Sequence, residues 1–186
     1  MKRLTIFTPA YNRAHLLPRL YESLKKQTSQ DFVWMVIDDG STDDTQSLIH
    51  SYIAESVLDI KYIYQDNQGM HGAHNTAYEN IKTELNTCID SDDFMPEDAV
   101  EVILNKWESI ATQDRSKYSG IVGLDADMTG NIIGSKFKSA STTLEDFYLD
   151  GGSGDKKLVY RTDVMNSYPP YPLFKNEKYV GLSYKY

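Results

Sequence analysis

Apolar positions along the chain come in short runs that switch between strand-like alternation and helical spacing, with polar, turn-forming segments between them. Leu4 to Thr8 reads as a first strand, and Pro9 to Arg13 as a loop, because Pro9 has no N–H to give a ladder. Leu16, Leu17, Leu20, Tyr21 and Leu24 then share one face of a helix that ends near Gln27. Phe32 to Ile37 predicts a second strand, Asp38 to Asp43 a turn, and Leu48, Ile49, Tyr52 and Ile53 a second helix. Leu58 to Tyr64 predicts a third strand, Asn67 to Gly72 a glycine-bearing loop, and Ala73 to Lys82 a third helix. Asn86 to Ile89 predicts a fourth strand, and Pro96 to Thr112 a long helix carrying Val100, Ile103, Leu104 and Trp107. This alternation predicts an α/β fold with a mostly parallel, doubly wound sheet. Ligands of such sheets bind beyond the carboxyl ends of the strands. Thr8 to Arg13, Asp38 to Ser41 and Asp90 to Asp93 all fall there.

After Ser119 the pattern changes. Gly120 to Leu124 and Ile132 to Phe137 read as two strands joined by the glycine-bearing turn Asp127 to Asn131. Thr143 to Leu149 predicts a short helix, Gly151 to Asp155 a flexible loop, and Tyr168 to Pro172 an extended segment. These parts are expected to add an antiparallel portion to the parallel one. The chain shows no internal repeat, low-complexity segment or clear linker. One domain over 1–186 is expected, with 1–115 the ligand-binding half and 116–186 a second half.

Composition narrows the functions. The chain has 186 residues, 40% apolar and 25% charged, with a net charge of −8. That suits a globular protein with a proper core and argues against a nucleic-acid surface. No run approaches the ~18 apolar residues that span a bilayer. The basic start Met1-Lys2-Arg3 turns polar at Thr8-Pro9 without a signal-peptide pattern, so a cytoplasmic location is the default expectation. Cys88, the single cysteine, excludes an intrachain disulfide framework. Tyrosines are frequent, and Tyr148, Tyr160, Tyr168, Tyr171, Tyr179, Tyr184 and Tyr186 crowd the C-terminal part.

The stretch Cys88-Ile89-Asp90-Ser91-Asp92-Asp93-Phe94 carries the clearest chemistry. An apolar strand runs into clustered carboxylates, which repel one another unless a cation neutralises them. Oxygen-only donors suit Mg²⁺ or Mn²⁺, and Mg²⁺ takes one or two protein carboxylates and completes its shell with water and phosphates. The pattern therefore predicts a phosphorylated ligand beside the metal. The plainer reading is an acidic strand end that caps the next helix.

Thr8-Pro9-Ala10-Tyr11-Asn12-Arg13, Ile37-Asp38-Asp39-Gly40-Ser41-Thr42-Asp43 and Ile89-Asp90-Ser91-Asp92-Asp93 resemble, in order and spacing, the motifs of family 2 glycosyltransferases of bacterial type. Those are inverting enzymes of the GT-A fold. More loosely, Gly154-Asp155-Lys156, Tyr160-Arg161-Thr162-Asp163 and Phe174 to Val180 resemble a bacterial branch of that family. The resemblance implies a nucleotide-sugar site made by Thr8, Pro9, Tyr11, Arg13, Asp38, Asp39, Asp90 and Ser91. Tyr11 would stack on the base, Asp39 would accept a base N–H, and Asp38 would hold ribose or support the loop. A base with an imide-like edge points to a UDP-sugar donor. Asp92 is the first choice for metal ligand, with Asp93 the alternative and Asp90 near the ribose or beside the ligand. Glu177 would be the base that takes the acceptor's proton, with Asp155 the runner-up. Lys156 and Arg161 are open to phosphate contact or to ordinary surface roles. Relatives often carry a basic residue near position 74, where this chain has His74. His71 and His74 either meet phosphate or sugar or are exposed loop histidines, and Asn75 caps or supports the loop.

The implied reaction moves a sugar to a saccharide or lipid-linked saccharide acceptor, in surface polysaccharide or lipopolysaccharide synthesis, with at most peripheral contact at the inner face of the membrane. The chain ends at Tyr186, soon after Glu177, where relatives carry a further acceptor-side segment. A truncated or short product is expected to keep donor binding better than turnover. Rival readings are a sugar-nucleotidyltransferase, which would favour a glycine-rich basic loop after the first strand, and a nucleotide-sugar-binding module without turnover.

Overall fold

The computed structural model describes residues 1–174. Strands β1 (Leu4–Ala10), β2 (Phe32–Asp38), β3 (Ile60–Tyr64), β4 (Leu85–Cys88), β5 (Gly120–Leu124) and β6 (Lys156–Arg161) form one six-stranded sheet in the order β3-β2-β1-β4-β6-β5. β3, β2, β1 and β4 run parallel, and β6 is antiparallel to both β4 and β5. The mostly parallel sheet with an antiparallel part is the one expected from the sequence.

Period-two alternation sorts the strands' side chains into two cores. Leu4, Ile6 and Ala10 of β1 and Trp34 and Val36 of β2 face one side, where α1 (Leu17–Lys25), α2 (Thr45–Glu55) and α4 (Ala99–Glu108) cover them. Tyr21 stacks on Tyr52 with ring centroids 3.7 Å apart, and Trp34 lies 5.9 Å from Tyr21. Phe7, Met35 and Ile37 face the other side, under α3 (Gly69–Asn80) and α6 (Thr162–Ser167). Helices thus cover both faces, and the apolar runs of β1 and β2 follow from burial on both sides.

Several elements depart from the sequence reading, each for a visible reason. β1 continues through Pro9, paired opposite Ile37. Its pairing with β4 has already stopped at Phe7–Cys88. The Phe7 carbonyl accepts from Ile89 on that side, and Ala10's accepts from Asp39 on the β2 side. Pro9 shares Phe7's direction, so its missing N–H points where no partner strand runs. α3 begins at Gly69, inside the expected loop, because a cap from elsewhere in the fold holds its start. α4 is shorter than expected at both ends. The Gln27 side chain accepts from the Val100 amide at 3.0 Å and donates to the Pro96 carbonyl at 2.6 Å, tying that start to the end of α1.

The expected hairpin is only a tip. Asp127 accepts from the amides of Thr129 and Asn131 and closes the turn, but Ala126–Ile132 is an isolated bridge. Gly134, at φ +76°, passes so near Ser153 that a Cβ there would sit 2.0 Å from its carbonyl oxygen, and this ends strand continuation. β5 pairs instead with β6, a strand absent from the sequence-based expectation. The loop before β6, expected to be flexible, is pegged: Lys156 Nζ donates to the carbonyls of Ser153, Gly154 and Asp155 at 2.8, 3.1 and 3.1 Å. The Lys156 ammonium also lies 5.0 Å from the centre of the Phe147 ring on α5 (Leu144–Leu149). Among the described residues no helix is long and apolar enough to cross a membrane.

Candidate functional site

In the strand order, β1 lies between β2 and β4, and the chain's path along the sheet reverses there. Open α/β sheets form their ligand crevice at such a point. β1 outruns β4, and the gap at their carboxyl ends opens a cleft of about 560 Å³. Pro9, Ala10, Tyr11 and Arg13 line it from β1, Asp39 from β2, Asn67, Gly69, Met70 and Ala73 from the start of α3, and Asp90, Ser91 and Asp92 from β4.

Asp38 and Asp39 are adjacent but face opposite ways. Asp38 is fully buried, accepting from the Ser41 amide at 2.8 Å and the Tyr62 hydroxyl at 2.6 Å. These bonds make it the support of its turn, and it does not line the cleft. Burial first, and then the bond to Asp38, hold the Tyr62 phenol well above its ordinary pKa. Asp39 is 4% exposed and does line the cleft. Its carboxylate accepts from Gln65 Nε2 at 2.7 Å and from the amides of Gln68 and Gly69, each at 2.8 Å. No side chain of α3's own caps its start. The carboxylate at β2's end therefore satisfies the helix's first amides and complements its dipole.

At the far wall, Asp90 and Asp92 are exposed, and the Asp93 amide closes a turn onto the Asp90 carbonyl at 3.0 Å. Asp93 does not line the cleft. Its carboxyl is pushed above the usual range by partial burial, which Lys157 opposes and Asp90, Asp92 and Asp125 reinforce. Burial, with Asp90 adding to it, pushes the Cys88 thiol well up, and its Sγ donates toward Asp90 at 3.7 Å. Among the described residues no group of three or more His, Cys, Asp or Glu could hold a metal ion by itself.

Other expected contacts lie elsewhere. Thr8 points into the core, accepting from Trp34 Nε1 at 3.1 Å, because alternation puts it on the side of Ile6 and Ala10. His71 and His74 are buried at 1% and 4% exposure and are not loop histidines, since α3 already includes them. His74 Nδ1 lies 2.9 Å from the Met70 carbonyl, and its ring is edge-on to Phe7, Tyr78 and Tyr171. Asn75 supports more than its loop: it donates to the Tyr171 carbonyl at 2.9 Å and accepts that residue's amide at 2.8 Å. Arg161 is spent on Asp163 and on the carbonyls of Arg115 and Tyr118. Lys156 is the loop peg, and Asp155 does not line the cleft. Glu177 lies outside the described residues.

Asn12, Asn67, Gln65 and Met70 belong to the site's construction but received no role from the sequence. Asn12 has a left-handed φ of 54°, which Asn tolerates better than most residues. Its Oδ1 accepts from the Thr42 amide at 2.8 Å and the Asp43 amide at 3.3 Å, and its own amide donates to Ser41 Oγ at 2.9 Å. It thereby stitches the Tyr11 loop to the Asp39 loop. Gly40, at φ +81°, brings its Cα close to Asn67, where a Cβ would lie 2.9 Å from the Asn67 nitrogen. Asn12→Leu is expected to lower stability by about 2 kcal/mol, through lost bonds and left-handed strain together. Asn12→Gly keeps the backbone and is expected to lose only about 1 kcal/mol. Urea denaturation of both variants checks the split.

The model of the family described as glycosyl transferase family 2 matches residues 5–166. Chondroitin synthase of Escherichia coli is 36% identical over 104 residues, covering 56% of this chain and 15% of that protein. The GalNAc(5)-diNAcBac-PP-undecaprenol beta-1,3-glucosyltransferase of Campylobacter jejuni is 31% identical over 172 residues, covering 90% of this chain and 54% of that protein. The chain therefore spans only part of the curated relatives it matches. Crystal structures of S. aureus TarS 1–349 with UDP-GlcNAc (TM-score 0.70, 22% identity) and of a Pyrobaculum calidifontis mannosyltransferase with GDP-Man and Mn²⁺ (TM-score 0.62, 18% identity) each align with 90% of this chain. They are covered to 48% and 47% of their own length. At these identities the likeness shows the shared fold, the GT-A arrangement.

Proposed function

The chain belongs to glycosyl transferase family 2, and on that premise we propose that it moves a sugar from a UDP-sugar to an acceptor hydroxyl with inversion. One observation carries the reading: a single cleft at the sheet's reversal point gathers Tyr11, Asp39 and the Asp90–Asp92 carboxylates. Tyr11, 48% exposed on the rim, offers a ring face to the base. Asp39 accepts the base N–H while its remaining bonds keep α3 in place. The complex of TarS with UDP-GlcNAc supports a uridine donor.

Asp92 would hold a Mn²⁺ or Mg²⁺ ion. Its carboxylate is a hard oxygen donor, exposed and facing the cleft, and one or two such donors are what a cation completed by phosphates takes from protein. When bound, such an ion supplies Lewis-acid stabilisation of charge on the leaving diphosphate. Glu177 takes the proton of the acceptor hydroxyl, whose oxygen then bonds to the anomeric carbon as the bond to the diphosphate breaks. An α-linked donor gives a β-linked product. Residues 1–115 would hold the donor and 116–186 the acceptor side. The names of the Escherichia coli and Campylobacter jejuni relatives support a saccharide or lipid-linked saccharide acceptor and a role in surface polysaccharide synthesis.

Calorimetric titration with UDP, GDP and CDP, in Mn²⁺ and then in EDTA, tests the reading. Binding of UDP above the others, and far more tightly in Mn²⁺ than in EDTA, is the expected result; no binding of any of them would overturn it. Glu177→Gln is expected to leave UDP affinity intact while turnover falls about 10²-fold. Binding and turnover measured on one preparation separate the two effects.

A further inference from the structure

Lys157 stands behind the acidic wall of the cleft. It lies on β6, paired with Gly123 of β5, and its stem is half-buried. Its ammonium donates to the Cys88 carbonyl at 3.3 Å, at the last residue of β4. Cys88 in turn places its Sγ 3.7 Å from Asp90 Oδ1, so the ammonium stands beside the residue that leads into the carboxylates. At Asp93 the Lys157 charge opposes burial and the neighbouring Asp90, Asp92 and Asp125. Its hydrogen bond with Cys88 fixes this charge. Lys156, its neighbour, points the other way and is used up in the loop.

We propose that Lys157 is a resident counter-charge of the Asp90–Asp93 cluster, which keeps a divalent cation from binding there until a nucleoside diphosphate brings further negative charge. The inference rests on the metal role of Asp92 given above. A carboxylate cluster with no internal cation would collect divalent ions from solution without substrate. A fixed ammonium beside it lowers that affinity by like-charge repulsion, while the incoming diphosphate reverses the local balance. Asp93 lies in the field of Lys157 and off the cleft, and Asp92 faces the cleft. Lys157 is a positioning residue in this scheme and touches neither sugar nor base.

Mn²⁺ titration of the full chain, followed by electron paramagnetic resonance of the free ion, reads this directly without turnover. At low salt and without nucleotide, Lys157→Met is expected to bind Mn²⁺ about tenfold more tightly than the wild type. The gap is expected to shrink as added salt screens the charge. Lys157→Arg keeps the charge and is expected to match the wild type. Lys157→Gln keeps a donor for the Cys88 carbonyl and carries the same test if the Met variant does not fold. Neutral variants that bind Mn²⁺ alone no better than the wild type, while the wild type takes it up with UDP, sink this inference only. Neutral variants that lose UDP affinity in EDTA with Mn²⁺ affinity unmoved make Lys157 a phosphate contact and also overturn it. A wild type that takes up no Mn²⁺ even with UDP sinks the metal reading and this inference with it.

Discussion

Asp92→Ala is expected to reduce UDP affinity in Mn²⁺ to the value measured in EDTA, a fall of about 10³-fold. The size follows from several kcal/mol of charge stabilisation lost at once, since each 1.4 kcal/mol is a factor of about ten. The fold should not share the loss. The turn at β4's end is closed by main-chain atoms of Asp90 and Asp93, and the Asp92 side chain is exposed. Removing one of several clustered carboxylates also relieves repulsion. The melting temperature is therefore expected to hold or to rise slightly. Calorimetry in both buffers, with a thermal melt of the same sample, decides the matter. UDP affinity unchanged in Mn²⁺ would refute the role of Asp92, and a collapsed melt would assign it to the fold.

Asp39→Asn is expected to do the opposite, damaging fold and site together. The two side chains are nearly the same size, so packing is conserved and only the bonding changes. One oxygen of Asp39 faces Gln65 and the Gln68 amide, and the other faces the Gly69 amide. An asparagine must turn its NH₂ toward one of these donors, leaving two N–H groups opposed in a site that is almost dry. It also removes the negative charge from the start of α3. A stability loss of about 3 kcal/mol follows, from one unmade buried bond and the lost helix-dipole contact. UDP binding is expected to disappear, because the acceptor for the base and the placement of Gly69 and Met70 go together. Urea denaturation and UDP titration of the variant check both parts. Full stability with binding lost would confine Asp39 to the ligand.

The parallel half was legible because its order rests on short-range pattern. β1 to β4 and the helices between them bury faces whose spacing can be read directly. The meeting of Pro9, Tyr11, Arg13, Asp39 and Asp90–Asp92 at one cleft was legible too, because strand ends at one sheet edge must converge. What could not be read rests on contacts between distant residues. Asp38 and Asp39 look alike in sequence, and only Tyr62 and Gln65, from the next strand and loop, separate their roles. The early start of α3 depends on Asp39, some thirty positions upstream, and so does the burial of His71 and His74 within it. Thr8 was assigned to the site by motif, yet its alternation with Ile6 already directed it to Trp34. The pairing of β5 with β6 spans the whole of 125–155, and the nearer apolar run at Ile132 was the more plausible partner until Gly134 intervened.

The peg made by Lys156 has a consequence for how the molecule breathes. Across 125–155 only the Phe147 side chain is buried, and the stretch is held by main-chain bonds, the Gly134–Gly154 crossing and the Lys156 ammonium. Little apolar surface is exposed when it lifts, so its opening costs far less than unfolding the parallel sheet. Its amides should exchange with deuterium well before those of β1 and β2, as a separate cooperative unit. The cleft between β1, β2 and β4 takes no lining from this stretch and keeps its shape through many such openings. Asp125 and Met128, beside the turn that follows β4, move with the soft stretch instead.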